Sequence, residues 1–263
     1  MNFTASHPFP PRPDLPRTAE PSRSPLKPRN KILAALAPAT YLALQPRLLP
    51  VELQQGEVLH EPARPATFGY FVESGIIAHQ AVMANGRAIS VSLTGPEGFV
   101  GYSPIVGLGS TSLRLVTPVK TQALRVSLED LKRVAGGSPQ FQGLLLRALH
   151  LQYMDAAQNA ACNSVHEISG RLARWILAVQ DRTTLGNQRM DAALPLTHEA
   201  LSEMLGASRS TVSLSAEMLK SAGLITYTRG NIQVTDRKGV EKSACECYEI
   251  SRTLLNEYLG PRS

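Results

Sequence analysis

Apolar residues between positions 196 and 225 recur at the three- and four-residue spacing of α-helices, in two blocks separated by a short segment. This spacing predicts two short helices, each with one apolar face, that bury these faces against each other. The face residues are Leu201, Met204 and Leu205 on the first helix and Val212, Met218 and Leu219 on the second. The pattern indicates a helix-turn-helix unit, and the alternative is an ordinary helical hairpin in a globular core.

Turn and cap residues fit this pair of helices. Gly206 can adopt a positive φ in the turn, while Ser208 and Thr197 can each accept from the free N–H groups that begin a helix. In a helix-turn-helix, the N-terminal end of the second helix enters the major groove, where Arg209 can donate two hydrogen bonds to guanine. The candidate DNA-binding residues of this unit are Thr197, Ser208, Arg209, Ser210, Thr211 and Ser213.

A strand pattern follows the two helices directly. Residues 224–228 and 232–235 are typical of two short strands around the turn Arg229-Gly230-Asn231. They predict a β-hairpin, or wing, whose tip carries Arg229 and Asn231 to the adjacent DNA backbone. Helices and wing are independent local patterns, and both favour DNA binding.

With these motifs in place, the C-terminal third resembles the DNA-binding domain of the Crp/Fnr family of bacterial transcription regulators. The matching positions are Gly206, Ser208, Arg209, Thr211, Val212, Met218, Leu219, Leu224 and Ile225. The resemblance implies an α+β fold, with an N-terminal β-roll of the cyclic-nucleotide-binding type, a long dimerisation helix and a C-terminal winged helix-turn-helix. It also implies a homodimer that binds double-stranded DNA, and contact with RNA polymerase if the protein activates transcription.

The resemblance is incomplete on the helix that reads DNA. Family members commonly carry Arg, then Glu, and a second Arg one helical turn further on. Here Arg209 is followed by Ser210, and Leu214 stands at the last of these positions. The DNA target is therefore expected to differ from the family's usual site.

Between residues 50 and 126 the pattern changes to short alternating strands. Ile89, Val91 and Leu93 alternate with polar residues, and Asn85-Gly86 is typical of a hairpin turn. Repeated glycines separate further strands, which fits a small β-roll or sandwich. A helix over residues 32–44 is predicted to pack on this roll through Ile32, Leu33, Leu36 and Leu42.

Residues 138–161 predict a strongly apolar helix, in which Arg147 and Asp155 are the fixed charges. Its apolar residues are Phe141, Leu144, Leu145, Ala148, Leu149, Leu151 and Met154. Pairing with a second copy of the chain is favoured over burial within one subunit. A following helix over residues 165–179 is predicted to brace the winged domain, with Trp175 in the core. Its buried side is formed by Val165, Ile168, Leu172, Trp175, Ile176 and Val179.

These patterns divide the chain into a disordered tail (1–30), a sensory β-roll (31–137), a dimerisation helix (138–163), a winged domain (164–236) and a helical extension (237–263). The tail holds eight of the nineteen prolines and lacks the apolar core of a signal peptide. No segment has the length and apolarity of a membrane span. Three cysteines form no disulfide framework, so a cytoplasmic protein without a membrane partner is expected.

Net charge adds little to the DNA-binding prediction. The chain carries +6, but residues 1–31 hold six basic residues against two acidic ones. From residue 195 onward, eight basic residues balance eight acidic ones. The winged domain must therefore concentrate its positive charge on one face to bind DNA.

The segment expected to form the ligand pocket lacks the family's anchors. The resemblance implies a Gly-Glu pair followed by an Arg that neutralises a cyclic phosphate. Here Gly98 is followed by Phe99, and the later positions fall near Gly109. Glu97 and Arg114 are nearby but shifted, and are interpreted as solvated or turn residues. No cofactor is predicted, because iron–sulfur ligation would also need about four cysteines in this half.

Neither an enzyme nor a metal site is predicted. Cupin enzymes use a similar fold with clustered histidine ligands, but His60 and His79 stand alone. A ligand-binding roll whose helical domain serves only protein contacts is the other alternative to a DNA-binding regulator.

The C-terminal extension is predicted to be a helix that begins at Asp236. Its apolar residues are Val240, Ala244, Tyr248, Leu255 and Tyr258. On such a helix Cys245 and Cys247 would point about 200° apart and chelate poorly, so they are interpreted as small core residues. The alternative is a metal or redox role together with Cys162 or His166.

Overall fold

The computed structural model describes residues 28–103, 105–108, 110–186, 189–228 and 230–260. The predicted Pro-rich tail lies outside these residues, apart from its last three positions. The fold is α+β, as predicted: a β-roll, a long helix and a winged helix-turn-helix follow one another along the chain.

Two four-stranded antiparallel sheets form the roll, in the orders β1-β8-β3-β6 and β2-β7-β4-β5. Their strands are β1 (Leu49–Leu53), β2 (Val58–His60), β3 (Phe68–Ser74), β4 (Ile77–Val82), β5 (Ala88–Thr94), β6 (Phe99–Val100), β7 (Leu113–Val116) and β8 (Thr121–Ser127). Apolar side chains such as Leu53, Val72 and Val100 fill the space between the sheets. The predicted Asn85-Gly86 turn joins β4 to β5, with Gly86 at φ +82°.

Two helices precede the roll where one was predicted over residues 32–44. They are α1 (Lys31–Ala34) and α2 (Pro38–Leu44), followed by a 3₁₀ turn at Gln45–Arg47. The break falls at Pro38, which begins α2 and holds the preceding Ala37 in an extended conformation. As a result Leu42 is 65% exposed instead of buried, and Leu44 takes its place in the core.

After the roll come α3 (Leu128–Gly136) and α4 (Pro139–Val165), a helix of 27 residues. One side of α4 packs on its own roll through Phe141, Leu145 and Ala148. The expectation that the apolar residues of α4 serve pairing with a second copy is therefore wrong for these three and for Leu151, which is also buried in the single chain. Another side, which includes Leu146 and Tyr153, is exposed.

The winged domain consists of α5 (Ile168–Leu185), α6 (His198–Leu205), α7 (Arg209–Ser221) and a hairpin of β9 (Ile225–Thr228) and β10 (Asn231–Val234). Trp175 lies in its core, as predicted. Val165 does not belong to α5, because α4 continues through it and leaves it 72% exposed.

One apolar position of the helix-turn-helix was also predicted wrongly. Met218 is 58% exposed, because six residues after Val212 on a helix correspond to a rotation of about 240°. Ser215, Ala216 and Leu219 complete the buried face of α7 instead.

The C-terminal extension is two helices instead of one: α8 (Arg237–Ser243) and α9 (Cys247–Leu259). Asp236 caps α8, as expected, by accepting from the Gly239 N–H. Ala244 is extended, and Cys245 lies in the bend between the helices. The chain therefore turns back, and α9 packs along α4.

Candidate nucleic-acid interface

Local hydrogen bonds set the geometry of the helix-turn-helix. Thr197 Oγ1 accepts from the Ala200 N–H at 3.1 Å, which caps α6. Gly206 ends that helix at φ +61°, a conformation that glycine adopts without strain. Ser208 Oγ accepts from the Thr211 N–H at 3.2 Å and caps α7. The three residues act as predicted, and they fix the direction of α7 relative to α6.

The N-terminal end of α7 is exposed. Ser208, Arg209, Ser210 and Thr211 all face solvent, and the Ser208 hydroxyl lies 2.8 Å from the hydroxyls of both Ser210 and Thr211. The Arg209 guanidinium forms an ion pair with Glu199 on α6, and both side chains are more than half exposed. Arg209 must therefore exchange a weak, solvated partner for any group on DNA.

Ser213 is held within the domain more than the other candidates. Its hydroxyl donates to the Arg209 carbonyl at 2.8 Å and lies 2.9 Å from His198 Nδ1. The His198 ring stacks on Tyr227 of β9, with centroids 4.5 Å apart. His198 and Tyr227 were missed in the sequence, where nothing links a helix start to a strand thirty residues later. Together they join α6, α7 and the wing.

Two apolar side chains project from α7 on the side that continues from Ser210. Leu214 is 67% exposed and Met218 follows one turn later. In the sequence, Leu214 marks only the absence of the family's second arginine, and the helical spacing predicts Met218 in the core. Exposed apolar groups on such a helix can contact the methyl group of thymine.

The wing is a hairpin in which Asn231 pairs with Thr228. Gly230 occupies the turn at φ +82°, and a Cβ there would lie 3.2 Å from the Thr197 side chain. The wing tip is thus close to the start of α6. Asn231 is exposed at the first position of β10, whereas Arg229 lies outside the described residues.

The segment around Glu97, where the ligand pocket was expected, packs against α4 and α5. Glu97 lies in a turn, as expected, but it is only 2% exposed, so its interpretation as a solvated residue is wrong. Its carboxylate accepts from Arg182 Nε at 3.0 Å, and Arg182 Nη2 lies 3.4 Å from Asp155 Oδ2. Arg114 is half-buried and pairs with Glu61 at 3.1 Å on a different part of the roll.

Three parts of the molecule are joined by a buried triad, which consists of Arg182, Glu97 and Asp155. Arg182 belongs to α5, Glu97 to the loop before β6, and Asp155 to α4. Although burial alone lowers the pKa of Arg182, the carboxylates of Asp155 and Glu97 raise it above its ordinary value. The surrounding side chains leave no room for a water molecule beside the triad.

Similarity to known proteins agrees with this geometry. The Crp-like helix-turn-helix domain family matches residues 170–243. The CRP-like cAMP-activated global transcriptional regulator of Mycobacterium tuberculosis is 24% identical over 220 residues, which cover 82% of this chain and 97% of that protein. The transcriptional regulator SdrP of Thermus thermophilus is 24% identical over 196 residues, covering 74% of this chain and 93% of that protein.

Among solved structures, FixK2 from Bradyrhizobium japonicum superposes with a TM-score of 0.63 at 17% identity, over 75% of this chain and 98% of that chain. This likeness concerns the fold. Within the described part of the chain, no helix combines the length and apolarity needed to cross a lipid bilayer.

Proposed function

We propose that this chain, a transcription regulator of the Crp/Fnr type, binds a roughly palindromic DNA site as a homodimer and does so without a cyclic nucleotide. The observation that carries the proposal is the exposed, capped N-terminal end of α7 with Arg209 at its first position. The residues that we propose contact DNA are Thr197, Ser208, Arg209, Ser210, Thr211, Ser213 and Asn231, together with Arg229 of the wing turn, which lies outside the described residues. Such a regulator acts on chromosomal DNA in the cytoplasm, and we assign no catalytic step to it.

The exposed side of α4 supports the homodimer. Leu146, His150, Tyr153 and Ala157 are all exposed and follow one another at intervals of four, three and four residues. This is the spacing of a coiled-coil seam, in which two copies of a helix bury a shared apolar stripe. A twofold dimer would present two α7 helices to half-sites about one helical turn apart, roughly 34 Å.

The α7 surface also supports a particular target. Arg209 supplies a guanidinium suited to guanine, and Leu214 and Met218 supply apolar groups suited to thymine methyls. We therefore expect each half-site to combine a guanine with thymines nearer the centre of the contact. A protein with this surface has no carboxylate at residue 210 to accept from cytosine.

Side chains of the roll support independence from cyclic nucleotides. Phe99 stands where the family's acidic anchor is expected, and its ring lies in an aromatic cluster, 4.6 Å from Phe71 and 5.2 Å from Tyr102. Glu97 is already paired with Arg182 inside the protein. The relative from Mycobacterium tuberculosis is described as cAMP-activated, so this chain is proposed to differ from it in its signal.

Selection from a pool of random duplexes, followed by gel-shift titration of the selected site at several salt concentrations, tests DNA recognition. Specific binding requires both a sequence preference and a salt-dependent affinity. Equal binding to all duplexes would contradict the proposal. If the protein activates transcription, RNA polymerase is a further expected partner, and its recruitment can be measured on the same site.

The dimer is tested separately by replacing Tyr153 with Glu, which places a charge in the exposed stripe. Sedimentation is expected to show a monomer, with a corresponding loss of affinity for the palindromic site. Leu42→Glu is the matched control, since Leu42 is similarly exposed but lies on α2. A Tyr153→Glu protein that remains dimeric would place the interface elsewhere.

A further inference from the structure

Four potential metal ligands meet at the end of α4, outside the DNA-binding surface. Cys162 and His166 come from the last turn of α4 and its C-cap, Cys245 from the bend between α8 and α9, and Cys247 from the start of α9. Their ligand atoms all lie within 4.8 Å of one another. All three cysteines are free thiols. Residues about eighty positions apart in the chain are thus brought to one point.

We infer that Cys162, His166, Cys245 and Cys247 bind one tetrahedrally coordinated zinc ion, which fastens the C-terminal extension to the end of the long helix. Three thiolates and one imidazole form a ligand set typical of structural zinc sites. The inference goes beyond DNA binding and does not depend on it.

Two ligand-atom distances in the cluster match those around a single tetrahedral ion, and all the others are at most 4.8 Å. Cys162 Sγ and Cys245 Sγ are 3.5 Å apart, and Cys247 Sγ is 3.5 Å from His166 Nδ1. With Zn–S bonds of about 2.3 Å and Zn–N bonds of about 2.0 Å, neighbouring ligand atoms of a tetrahedral site lie roughly 3.5 to 3.8 Å apart. Ligands divided between the two irons of a sulfide-bridged cluster would be more widely spread.

The backbone explains how two cysteines with one residue between them can face the same ion. Ala244 is extended, so α8 has ended before Cys245. The Cys245 N–H donates to the Gly170 carbonyl of α5 at 3.3 Å, which holds the bend against that helix. Cys245 and Cys247 therefore do not have the divergent directions that one continuous helix would impose.

Groups around the cluster are arranged as metal ligands require. His166 Nε2 lies 3.0 Å from the Glu246 carboxylate, which favours the tautomer that leaves the Nδ1 lone pair facing the sulfur atoms. Gln158 Nε2 donates to Cys247 Sγ at 3.0 Å. Three thiolates exceed the charge of one zinc ion by one, and the buried Arg174 provides a compensating positive charge that acts on Cys162 and Cys245.

Burial also suits a bound ion. Cys162 is 0% exposed and Cys247 is 2% exposed, whereas Cys245 and His166 are half-buried and leave an approach from solvent. A bound ion would cross-link α4 to the bend before α9, at the junction where α4 passes into α5. It would stabilise this junction because it binds the folded arrangement and not the separated segments.

The test uses the full-length protein, reduced and freed of metal with a chelator. Titration with zinc against a chromophoric competitor should show one ion per chain, and cobalt should give the visible absorption of a tetrahedral thiolate site. Glu246→Gln should weaken zinc binding about 10- to 100-fold, and His166→Gln or Cys245→Ser should weaken it further. Ser164→Ala, which changes an exposed hydroxyl on the same turn of α4, should retain one ion.

Any of three results would overturn the inference. Folded, reduced wild-type protein could take up no stoichiometric zinc, or Cys245→Ser and His166→Gln could both bind zinc as well as the wild type. Protein purified without air could show the absorption of an iron–sulfur cluster. A Cys162–Cys245 disulfide that forms readily while no metal binds would assign the cluster to redox chemistry instead. The wild-type cobalt spectrum decides the question even if a cysteine variant fails to fold.

Discussion

Replacing Arg182 with Met tests how the winged domain is joined to the roll. The change keeps most of the length of the side chain and removes the guanidinium that pairs with Glu97 and Asp155. All three side chains are less than one tenth exposed. The variant would therefore leave two carboxylates in a buried space without a counter-charge.

The magnitude follows from that burial. Removing one partner of a buried ion pair destabilises a protein by about 3 to 5 kcal/mol, because the remaining charge has lost both water and its partner. Arg189→Met is the matched control, since Arg189 pairs with Asp191 on the surface and both side chains are mostly exposed. That variant should change stability little, because solvent already screens the pair.

Urea unfolding followed by tryptophan fluorescence is the assay, since the chain has one tryptophan and Trp175 lies on the same helix as Arg182. Adding Glu97→Gln to Arg182→Met should recover part of the lost stability, because one unpaired charge is then removed. If Arg182→Met shifts the unfolding midpoint no more than Arg189→Met, the triad does not hold the winged domain to the roll.

Three further predictions address DNA, pH and ligand. Arg209→Ala should weaken binding to the selected site by about 1 to 3 kcal/mol and relax preference at one base pair per half-site in gel shifts, whereas Arg252→Ala should not. Burial lowers the pKa of His79 to about 4, against about 6.5 unfolded, so stability is complete above pH 6.5 and falls by about 3 kcal/mol towards pH 4. His79→Gln should flatten that fall in urea titrations, and an unchanged profile would exclude His79 as its source. Calorimetry with cyclic AMP or cyclic GMP should show no saturable micromolar binding, and binding that also tightens DNA affinity would show that the filled pocket opens.

The DNA-binding unit could be predicted from sequence because its determinants are local. Thr197 and Ser208 each cap a helix through a residue three positions later, and Gly206 needs only its own backbone freedom. Hairpin turns at Asn85-Gly86 and around Gly230 are equally short-range. Such features depend on neighbouring residues alone, so a short stretch of sequence is enough to predict them.

The environment of Glu97 could not be predicted from the sequence. Its partner Arg182 lies 85 positions later on a different domain, and no periodicity connects the two. A charged residue next to a glycine-rich loop is usually solvated, so the local pattern favoured the wrong environment. The pair forms only because the fold brings the end of α5 against the loop before β6.

Cys245 and Cys247 show the same limit in the backbone. The bend between α8 and α9 contains neither proline nor glycine. It is held from outside, by the bond from the Cys245 N–H to Gly170 and by Arg237, which joins Asp181 of α5 to the Tyr248 hydroxyl of α9. A local pattern predicts one helix here, since the contacts that interrupt it belong to another part of the chain.

The partner of Glu97 and the cysteine-bearing bend contact opposite ends of α5. The buried triad fixes Arg182 near the end of α5 to the roll and α4, while Gly170 near its start is bonded to the cysteine-bearing bend. The extension completes the link, because Tyr258 of α9 donates to the Glu97 carbonyl at 3.0 Å. Any rotation of the winged domain about α4 must therefore break contacts at one end of α5 or at both. Because the contact at Gly170 comes from the Cys245 backbone N–H, Cys245→Ser should leave both that contact and the triad in place, whereas Arg182→Met removes the triad alone.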